Sequence, residues 1–598
     1  MPSPKLSRKS VLAASVTGAF AVVGGGAVIA EATSRDEEPR EDDRETIPDQ
    51  DPDFKYASET LAAMSLHDKV GQLFMVYVSG ASADESAESN RTRLGSDTAA
   101  EFIAANRPGG VIYFDWANGL DDPAQVAALS NGLQEAAASG GGVPLLIAAD
   151  QEYGTVVRIG EPATQFPGSM ALGATGDTDA AANAAQVAGT ELRAMGLNQN
   201  FAPDADVNVD PANPVIGVRA FGSDSELVAG FTAAQVTGYQ AGGVAVSAKH
   251  FPGHGDTGTD SHVGLPVITH TVQEWESIDA PPFRAAIEAG TDLVMTGHLQ
   301  FPALDDSLAP ATLSAPILTG LLRDELGFTG VVITDSLEME GVRTEFGDDH
   351  VPVLALLAGA DMLLMPPDFT LARDAVLAAV EAGELTEDRV DESVRRILLL
   401  KYRRGIVADP STDPAGVDTV GAEAHRELAA DIASRSITLL ANDGTLPFAG
   451  GSILVTGWGE NTTARLAEAF GSGATVHTSG DAPDEAAIGA AVAAADGKDL
   501  VVVATHDVTA DAPQVDLVAA LVATGVPVVT AAVGTPYDAA YLGPVNASLA
   551  SYSYSAVSLA ALAKAIAGEL GPTGKLPVDV LDASGAVAYP LGHGLDFS

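Results

Sequence analysis

Short apolar runs alternate with longer stretches of helical periodicity between residues 57 and 405. Most runs are aliphatic and lack polar alternation, which is typical of parallel strands covered on both faces. Helical patterns such as Ala181–Met195 and Glu226–Ala241 separate many of them. The runs that we interpret as strands are Val70–Val76, Gly110–Phe114, Pro144–Ala149, Asn200–Pro203, Val244–Ala248, Leu293–His298, Val331–Asp335 and Met362–Met365. This alternation predicts an α/β fold, specifically a (β/α)8 barrel.

The apolar pattern changes after residue 405. A polar stretch that contains Pro410 and Pro414 indicates a linker over residues 406–425. Beyond it, the runs Ser452–Thr456, Leu500–Ala504 and Val526–Thr530 predict buried strands with helices between them. Because 598 residues are enough for more than one core, we expect a second α/β domain over residues 426–598.

The N-terminal segment has the pattern of an export signal. Lys5, Arg8 and Lys9 precede an uncharged run, Ser10–Ala30, and small residues near its end suit a signal peptidase. We therefore predict a signal peptide over residues 1–32, with a weakened twin-arginine motif at Ser7–Leu12. The alternative is an uncleaved membrane anchor, since the run is just long enough to span a bilayer. The glycines in this run lower its hydrophobicity and so favour cleavage. We therefore expect an exported protein, extracellular or cell-wall associated, with no stable membrane insertion after cleavage.

Residues 33–56 are strongly acidic and almost free of apolar side chains, so they predict a disordered linker. The whole chain has 81 acidic against 31 basic residues, a net charge of −50. This charge argues against nucleic acid or an anionic membrane as a partner. The absence of cysteine excludes disulfides, thiol catalysis and thiolate metal sites.

Chemistry-bearing residues concentrate in the segment Lys249–His262, directly after the fifth predicted strand. Its fourteen residues include one lysine, three histidines and two aspartates, with three glycines between them. Active sites of α/β folds lie where strands end, so this segment is a candidate site.

A metal site is one alternative interpretation of these histidines. The candidate ligands would be His250, His254, Asp256 and His262. Pro252 and Gly253 prevent them from sharing a helix face, and Lys249 would repel a cation. We therefore expect no metal and no cofactor.

The order K-H-F-P-G-H-G-D-x-x-x-D-S-H resembles the signature loop of glycoside hydrolase family 3, in its β-N-acetylglucosaminidase branch. Asp150–Gly154, Arg219–Gly222 and Thr334–Met339 extend the resemblance, which is strong over residues 57–405 and looser over 426–598. It implies a catalytic barrel followed by an α/β sandwich domain. It also supports the count of eight strands, because periodicity alone leaves one or two undefined.

The family resemblance implies that Asp335 is the nucleophile. A carboxylate at the end of a barrel strand faces the pocket mouth, although the position also suits a helix N-cap. The resemblance likewise implies that His262 is the acid/base catalyst and Asp260 its orienting partner. The alternative for this pair is a loop-stabilising contact or a set of metal ligands.

The resemblance places the remaining candidates in substrate binding. Lys249, His250, Arg219 and Arg158 would donate hydrogen bonds to sugar hydroxyls, and Asp150 would accept them. Any one of them alone would be better interpreted as part of a structural salt bridge. The sequence departs from the family at Tyr153, where glycine is usual, and this ring would narrow the pocket or add stacking.

These residues lead us to expect an exported, exo-acting retaining glycosidase. Its substrate would be a glycan with terminal β-linked N-acetylglucosamine, such as a peptidoglycan fragment. One alternative is a β-glucosidase, β-xylosidase or phosphorolytic enzyme of the same family. The other is a non-catalytic cell-wall-binding protein that keeps the fold.

Overall fold

The computed structural model describes residues 51–261 and 264–597. The predicted signal peptide, most of the predicted acidic linker, and His262 lie outside the described residues. Among the helices of the described part, none combines the length and the apolar character that crossing a bilayer requires.

The first sheet contains eight parallel strands in the order β7-β6-β5-β4-β3-β2-β1-β8. Their bounds are β1 Phe74–Tyr77, β2 Gly110–Ile112, β3 Leu146–Ala149, β4 Gln199–Asn200, β5 Ala245–Phe251, β6 Leu293–Thr296, β7 Val331–Thr334 and β8 Leu363–Leu364. A parallel bridge between Ile333 and Met362 closes the ring between β7 and β8. The predicted barrel is therefore confirmed.

Helices surround this barrel. They are α1 Pro52–Ala63, α2 Leu66–Gln72, α3 Glu88–Leu94, α4 Ala99–Asn106, α5 Asp115–Asn118, α6 Pro123–Ser139, α7 Ser169–Thr175, α8 Thr178–Ala194, α9 Ser225–Ala241, α10 Val272–Ser277, α11 Ala280–Glu288, α12 Glu340–Phe346, α13 Val351–Ala358, α14 Phe369–Ala382 and α15 Glu387–Arg403, with a π-helical segment at Pro316–Glu325. The side chains of Asp177 and Asp224 cap α8 and α9 by accepting backbone N–H groups. Local capping explains why these two helices begin close to their predicted positions.

Several boundaries differ from the prediction, among them those of α1, α2 and β5. The helix α1 begins at Pro52, inside the predicted disordered linker, because Asp51 caps it and proline suits the first helical position. Val70 belongs to α2 and not to the first strand, since Ser65 and Asp68 form a capping box that starts a helix there. The strand β5 continues to Phe251, so it includes two of the predicted binding residues.

The second sheet has six strands in the order β11-β10-β12-β13-β14-β9, of which only β9 is antiparallel to its neighbour. Their bounds are β9 Thr438–Asn442, β10 Ile453–Gly457, β11 Ala474–Thr478, β12 Leu500–Thr505, β13 Val528–Ala532 and β14 Ala547–Ala550. The helices are α16 Glu423–Ser436, α17 Glu460–Phe470, α18 Glu485–Ala494, α19 Pro513–Val522 and α20 Ala556–Ala567, and a hairpin of β15 Val580–Leu581 and β16 Val587–Tyr589 follows.

Alternate residues of this sheet pack against opposite layers of helices. Val502 lies in one apolar cluster with Leu466 of α17 and Leu562 of α20. Val501 lies in another with Leu517 of α19. The sheet is therefore covered on both faces, which confirms the predicted α/β sandwich.

The predicted linker over residues 406–425 lies against the barrel. The Thr412 hydroxyl donates to the Ala194 carbonyl at 2.9 Å, and the Asn131 side chain accepts the Thr412 N–H at 2.8 Å. Further along, the Gly421 N–H donates to the Glu191 carboxylate at 2.9 Å. These buried or half-buried contacts hold the connection in place between the two sheets.

Candidate active site

A cavity of about 370 Å³ opens at the carboxyl ends of the barrel strands. All the described residues that line it lie between Ile112 and Met365, so they belong to the barrel. Six of the eight predicted site residues are among them: Asp150, Arg158, Arg219, Lys249, His250 and Asp335. The barrel topology brings these residues together from the ends of four strands, β3, β4, β5 and β7, as expected for this architecture.

Asp335 follows β7 directly and is open to the cavity. Its backbone N–H donates to the Thr296 carbonyl at 3.2 Å, and the Ser336 N–H donates to its Oδ1 at 2.7 Å. The next helix, α12, begins five residues later without a side-chain cap, so Asp335 is not the N-cap. Burial opposes ionisation of this carboxyl, but nearby His250 and His298 and the Ser336 N–H outweigh it and hold the pKa of Asp335 below its ordinary value.

His298 is a buried histidine with hydrogen bonds at both ring nitrogens. Its Nδ1 lies 2.8 Å from the Thr312 hydroxyl, and its Nε2 lies 2.9 Å from the Ser336 carbonyl oxygen. The ring therefore fixes the backbone next to Asp335. His298 is therefore a hydrogen-bonded core residue.

Glu152 links the two main cationic residues of the cavity wall. It is buried, and Arg219 donates to both of its carboxylate oxygens, while Lys249 Nζ lies 2.6 Å from Oε1. Lys249 Nζ also lies 2.9 Å from Asp150 Oδ1. Burial would raise the pKa of Glu152, but the two cations hold it well below its ordinary value. Glu152 was not among the residues predicted from the sequence, although it stands inside the Asp150–Gly154 motif.

Asp150 is reached by a second cation from another direction. Arg158 Nη2 lies 3.5 Å from its Oδ2, and the Arg158 guanidinium stands over the Phe114 ring at 5.2 Å. The predicted donors therefore pair with carboxylates while they line the cavity. In this one cluster the salt bridges form part of a polar cavity wall, and the sugar-binding role of these residues stays a prediction.

His250 lines the cavity and is hydrogen-bonded to protein groups at both ring nitrogens, and its role as a donor to sugar stays a prediction. Its Nδ1 lies 2.7 Å from Asp206 Oδ2, and its Nε2 lies 3.3 Å from Arg219 Nη2. Burial, followed by the positive charge of Arg219, lowers the pKa of His250 to about 4, so the ring is neutral near pH 7. Arg219 can only donate, so Nε2 accepts and Nδ1 donates to Asp206. In this arrangement both ring nitrogens are engaged by protein groups.

Two buried aspartates beneath His250 were missed by the sequence analysis. Burial raises the pKa of Asp204 to about 8 and that of Asp206 to about 7. These two side chains and His250 lie within metal-ligand reach of one another, but Arg219 Nη2 is 3.7 Å from Asp204 Oδ2 and already compensates charge there. A hydrogen-bonded cluster suits these groups better than a cation. The sequence feature that could have identified these two aspartates is Asp204-Ala205-Asp206, which comes directly after the fourth predicted strand.

The glycine-rich loop is anchored near its start. The backbone N–H of His254 donates to Asp206 at 2.6 Å, and His254 Nε2 lies 2.9 Å from the Ser261 hydroxyl. A Cβ on Gly255 would stand 1.7 Å from the Val207 carbonyl oxygen, so only glycine fits. Asp260 is half-buried in the later part of this loop, and His262 lies outside the described residues. Their acid/base roles therefore stay predictions.

Tyr153 does not lie on the wall of this cavity. It is buried and its ring packs edge-on against Phe166, with 5.2 Å between the ring centroids. Its φ of 68° is the conformation that glycine adopts readily, which explains glycine as the usual residue here. The expectation that Tyr153 narrows the pocket or stacks on substrate is wrong, because the backbone turns the side chain into the core.

Comparisons with known proteins match this architecture. Residues 65–400 match the model of the glycosyl hydrolase family 3 N-terminal domain, and residues 437–597 match that of the family's C-terminal domain. A solved structure, a glycoside hydrolase family 3 beta-N-acetylglucosaminidase from Paenibacillus sp. str. FPU-7, has a TM-score of 0.80 at 39% identity. The match covers 86% of this chain and 99% of that one.

Two curated relatives are similar over a shorter region. Beta-hexosaminidase A of Pseudoalteromonas piscicida is 40% identical over 373 residues, 58% of this chain and 62% of the relative. A protein of Cellulomonas fimi named beta-N-acetylglucosaminidase/beta-glucosidase is 38% identical over 316 residues, 51% of this chain and 56% of the relative. The chain thus spans less than two thirds of the length of either relative.

Proposed function

The chain belongs to glycoside hydrolase family 3, and from this membership we propose that it is an exported, exo-acting retaining β-N-acetylglucosaminidase. The observation that carries the proposal is Asp335, an ionised carboxylate that opens into a cavity walled by Lys249, Arg219 and Asp150. A cavity of about 370 Å³ is at the small end of ligand sites and suits one terminal sugar.

In the proposed mechanism, Asp335 attacks the anomeric carbon and forms a glycosyl-enzyme. His262 gives its proton to the oxygen of the leaving sugar, and Asp260 orients the ring and stabilises its charge. The neutral His262 then takes a proton from water, which attacks the anomeric carbon and releases the β anomer. Each displacement inverts the anomeric carbon, so the two together retain its configuration.

The names of the relatives support the choice of sugar. Those of P. piscicida and Paenibacillus are named for hexosaminidase or N-acetylglucosaminidase activity. The C. fimi relative carries β-glucosidase in its name as well, so a β-glucoside is the second candidate substrate. For the natural substrate we propose peptidoglycan fragments, because the basic, uncharged and acidic segments over residues 1–56 support export to the cell wall.

A panel of nitrophenyl glycosides tests this proposal. We expect the β-N-acetylglucosaminide to be cleaved with the highest kcat/KM, with or without added phosphate. NMR of the first-formed sugar should show the β anomer, and an initial α anomer would exclude the retaining mechanism. A preference for β-glucoside, or a requirement for phosphate, would favour the alternatives.

The nucleophile can be tested with a matched carboxylate. Glu338 lines the same cavity but is paired with Arg93. We expect Asp335→Asn to lose several orders of magnitude in kcat and Glu338→Gln to lose far less. Activity of Asp335→Asn within about tenfold of wild type, equal to 1.4 kcal/mol of barrier, would exclude Asp335 as nucleophile.

A further inference from the structure

A second cavity lies between the barrel and the C-terminal sandwich. Its volume is about 760 Å³, and it is separate from the cavity at Asp335. The segment Gly154–Arg158 divides the two, since Val156 and Arg158 line the first cavity while Thr155 and Val157 line the second. Nothing in the proposed mechanism uses this second space.

The sandwich places this cavity at the point where its strand order reverses. The chain leaves β10 towards β11 on one side and leaves β12 towards β13 on the other, although β10 and β12 are hydrogen-bonded neighbours. The connecting helices α17 and α19 pack on opposite faces of the sheet. Open α/β sheets bind ligands in the crevice outside the carboxyl ends of two such strands.

An aromatic platform stands at this crevice. Trp458 follows β10 and His506 follows β12, and their rings stack with 4.2 Å between centroids at an interplanar angle of 11°. The backbone N–H of Trp458 donates to the Ala504 carbonyl at 2.9 Å, and the Tyr554 ring centroid lies 5.2 Å from that of the indole. Of these side chains, Trp458 and Tyr554 border the cavity.

The platform is supported from behind. His506 Nδ1 lies 3.0 Å from Asp507 Oδ2, and a Cβ on Gly534 would stand 2.9 Å from the imidazole, so the backbone of Gly534 contacts that ring. A Cβ on Gly457 would collide with the Ala504 carbonyl oxygen. Glycine at this position therefore lets the backbone before Trp458 lie close to β12, and this contact fixes the position of Trp458. A rigid indole needs no further ordering when a ligand stacks on it.

Polar groups surround this apolar floor. Glu161, Gln165, Glu460, Asn461 and Arg465 line the rim, and Arg465 approaches Glu161 across the cavity at 4.0 Å. An aromatic floor with amide and carboxylate acceptors at its edge suits a ring that has one apolar face and equatorial hydroxyls. Asp121 also lines the cavity, so three carboxylates accompany one guanidinium, and this excess of negative charge disfavours an anionic ligand.

We propose that the crevice between Trp458 and the barrel segment Gly154–Phe166 is a second carbohydrate-binding site, which holds a pyranose ring of a neutral β-linked glycan chain. We take the sugar of this glycan to be N-acetylglucosamine, and this part of the proposal rests on the proposed function. The site would tether a long glycan beside the cavity that removes its terminal sugar. Because the walls of the Asp335 cavity come from the barrel, loss of the tether leaves the chemistry of small substrates intact.

Calorimetric titration with chitotetraose tests the proposal. In Asp335→Asn protein, which keeps the glycan intact, we expect two binding sites per chain. The added substitution Trp458→Ala should reduce this number to one or weaken one site by about tenfold or more. Tyr56→Ala, which removes an exposed aromatic ring outside both cavities, is the matched control and should retain both sites. A single site in the Asp335→Asn parent, or two unchanged sites after Trp458→Ala, would overturn the proposal.

A second measurement avoids dependence on the folding of Trp458→Ala. The chain has three tryptophans, so fluorotryptophan labelling gives three 19F signals, with that of Trp458 assigned from Trp458→Phe. Chitotetraose should shift the Trp458 signal, and an unmoved signal at saturation would overturn the proposal. Wild-type and Trp458→Ala enzymes should cleave nitrophenyl N-acetylglucosaminide within about twofold of each other. If neither cleaves it, the proposed function fails independently of this site.

Discussion

Arg219 holds Glu152 by two parallel hydrogen bonds, from Nε at 2.9 Å and from Nη2 at 3.0 Å. This bidentate geometry fixes both side chains, which come from different strand ends of the barrel. Glu152 also forms an ion pair with Lys249, so one buried carboxylate positions two of the cations that line the cavity. The polar wall of the site is therefore organised before any sugar arrives.

Neutralising Glu152 tests this organisation. We expect Glu152→Gln to raise KM for the nitrophenyl N-acetylglucosaminide and to lower the thermal midpoint, because Arg219 would lose its bidentate carboxylate partner and Lys249 would keep only Asp150. Breaking a buried charge pair costs about 3–5 kcal/mol. Steady-state kinetics and thermal denaturation measure both effects. Glu135→Gln, at an exposed helix position, is the control, and equal behaviour of the two variants would contradict the prediction.

The acid/base role of His262 predicts a dependence on the leaving group. His262→Ala should severely impair cleavage of a disaccharide, while formation of the glycosyl-enzyme from a dinitrophenyl glycoside should fall far less. Asp260→Asn should show the same pattern more mildly, because it removes only the orienting charge. His350→Ala removes an exposed histidine and should change neither rate. Equal losses of His262→Ala on both substrates would assign this residue to sugar binding.

The burial of Tyr153 predicts that restoring the family's glycine destabilises this protein. Tyr153→Gly relieves the positive φ, worth about 1–2 kcal/mol, but removing a buried aromatic ring costs about 3–5 kcal/mol. We therefore expect a lower thermal midpoint, with kcat/KM for the nitrophenyl substrate nearly unchanged because the ring is off the cavity wall. Tyr153→Phe keeps the ring and serves as control. A large gain or loss in KM for Tyr153→Gly would contradict its placement.

Lys401 gives a pH dependence of stability. It is buried, its Nζ donates to Gln72 Oε1 at 2.8 Å, and burial lowers its pKa from 10.5 to about 7. Between these two values the unfolded chain binds a proton that the folded chain does not, so this residue's contribution to stability rises with pH. The thermal midpoint of Lys401→Met relative to wild type should therefore be highest near pH 7 and decrease towards pH 10.

The matched control is Lys564→Met, an exposed lysine in the last turn of α20. Its midpoint relative to wild type should not vary over the same range. A constant difference for Lys401→Met across the range would show that Lys401 keeps its proton in the folded protein. Differential scanning fluorimetry at four or five pH values is sufficient.

Most elements of the barrel could be predicted because their signals are local. Apolar runs mark β6 and β7, and aspartate caps mark the starts of α8 and α9, within a few residues of the chain. Edge strands were missed where this signal is weak. Much of β11, for example, is exposed, so its sequence carries little of the apolar run that marks a buried strand.

The sequence by itself determined most of the segments that become buried strands, and it placed Asp335 at a strand end, because periodicity and capping act between near neighbours. Only the tertiary structure decided that Glu152 joins Arg219 to Lys249, that Tyr153 turns inward, and that Trp458 stacks on His506. These contacts join segments that are distant along the chain, and each depends on the order of strands in a sheet. Strand order is fixed by packing of the whole domain, which no local pattern of residues specifies.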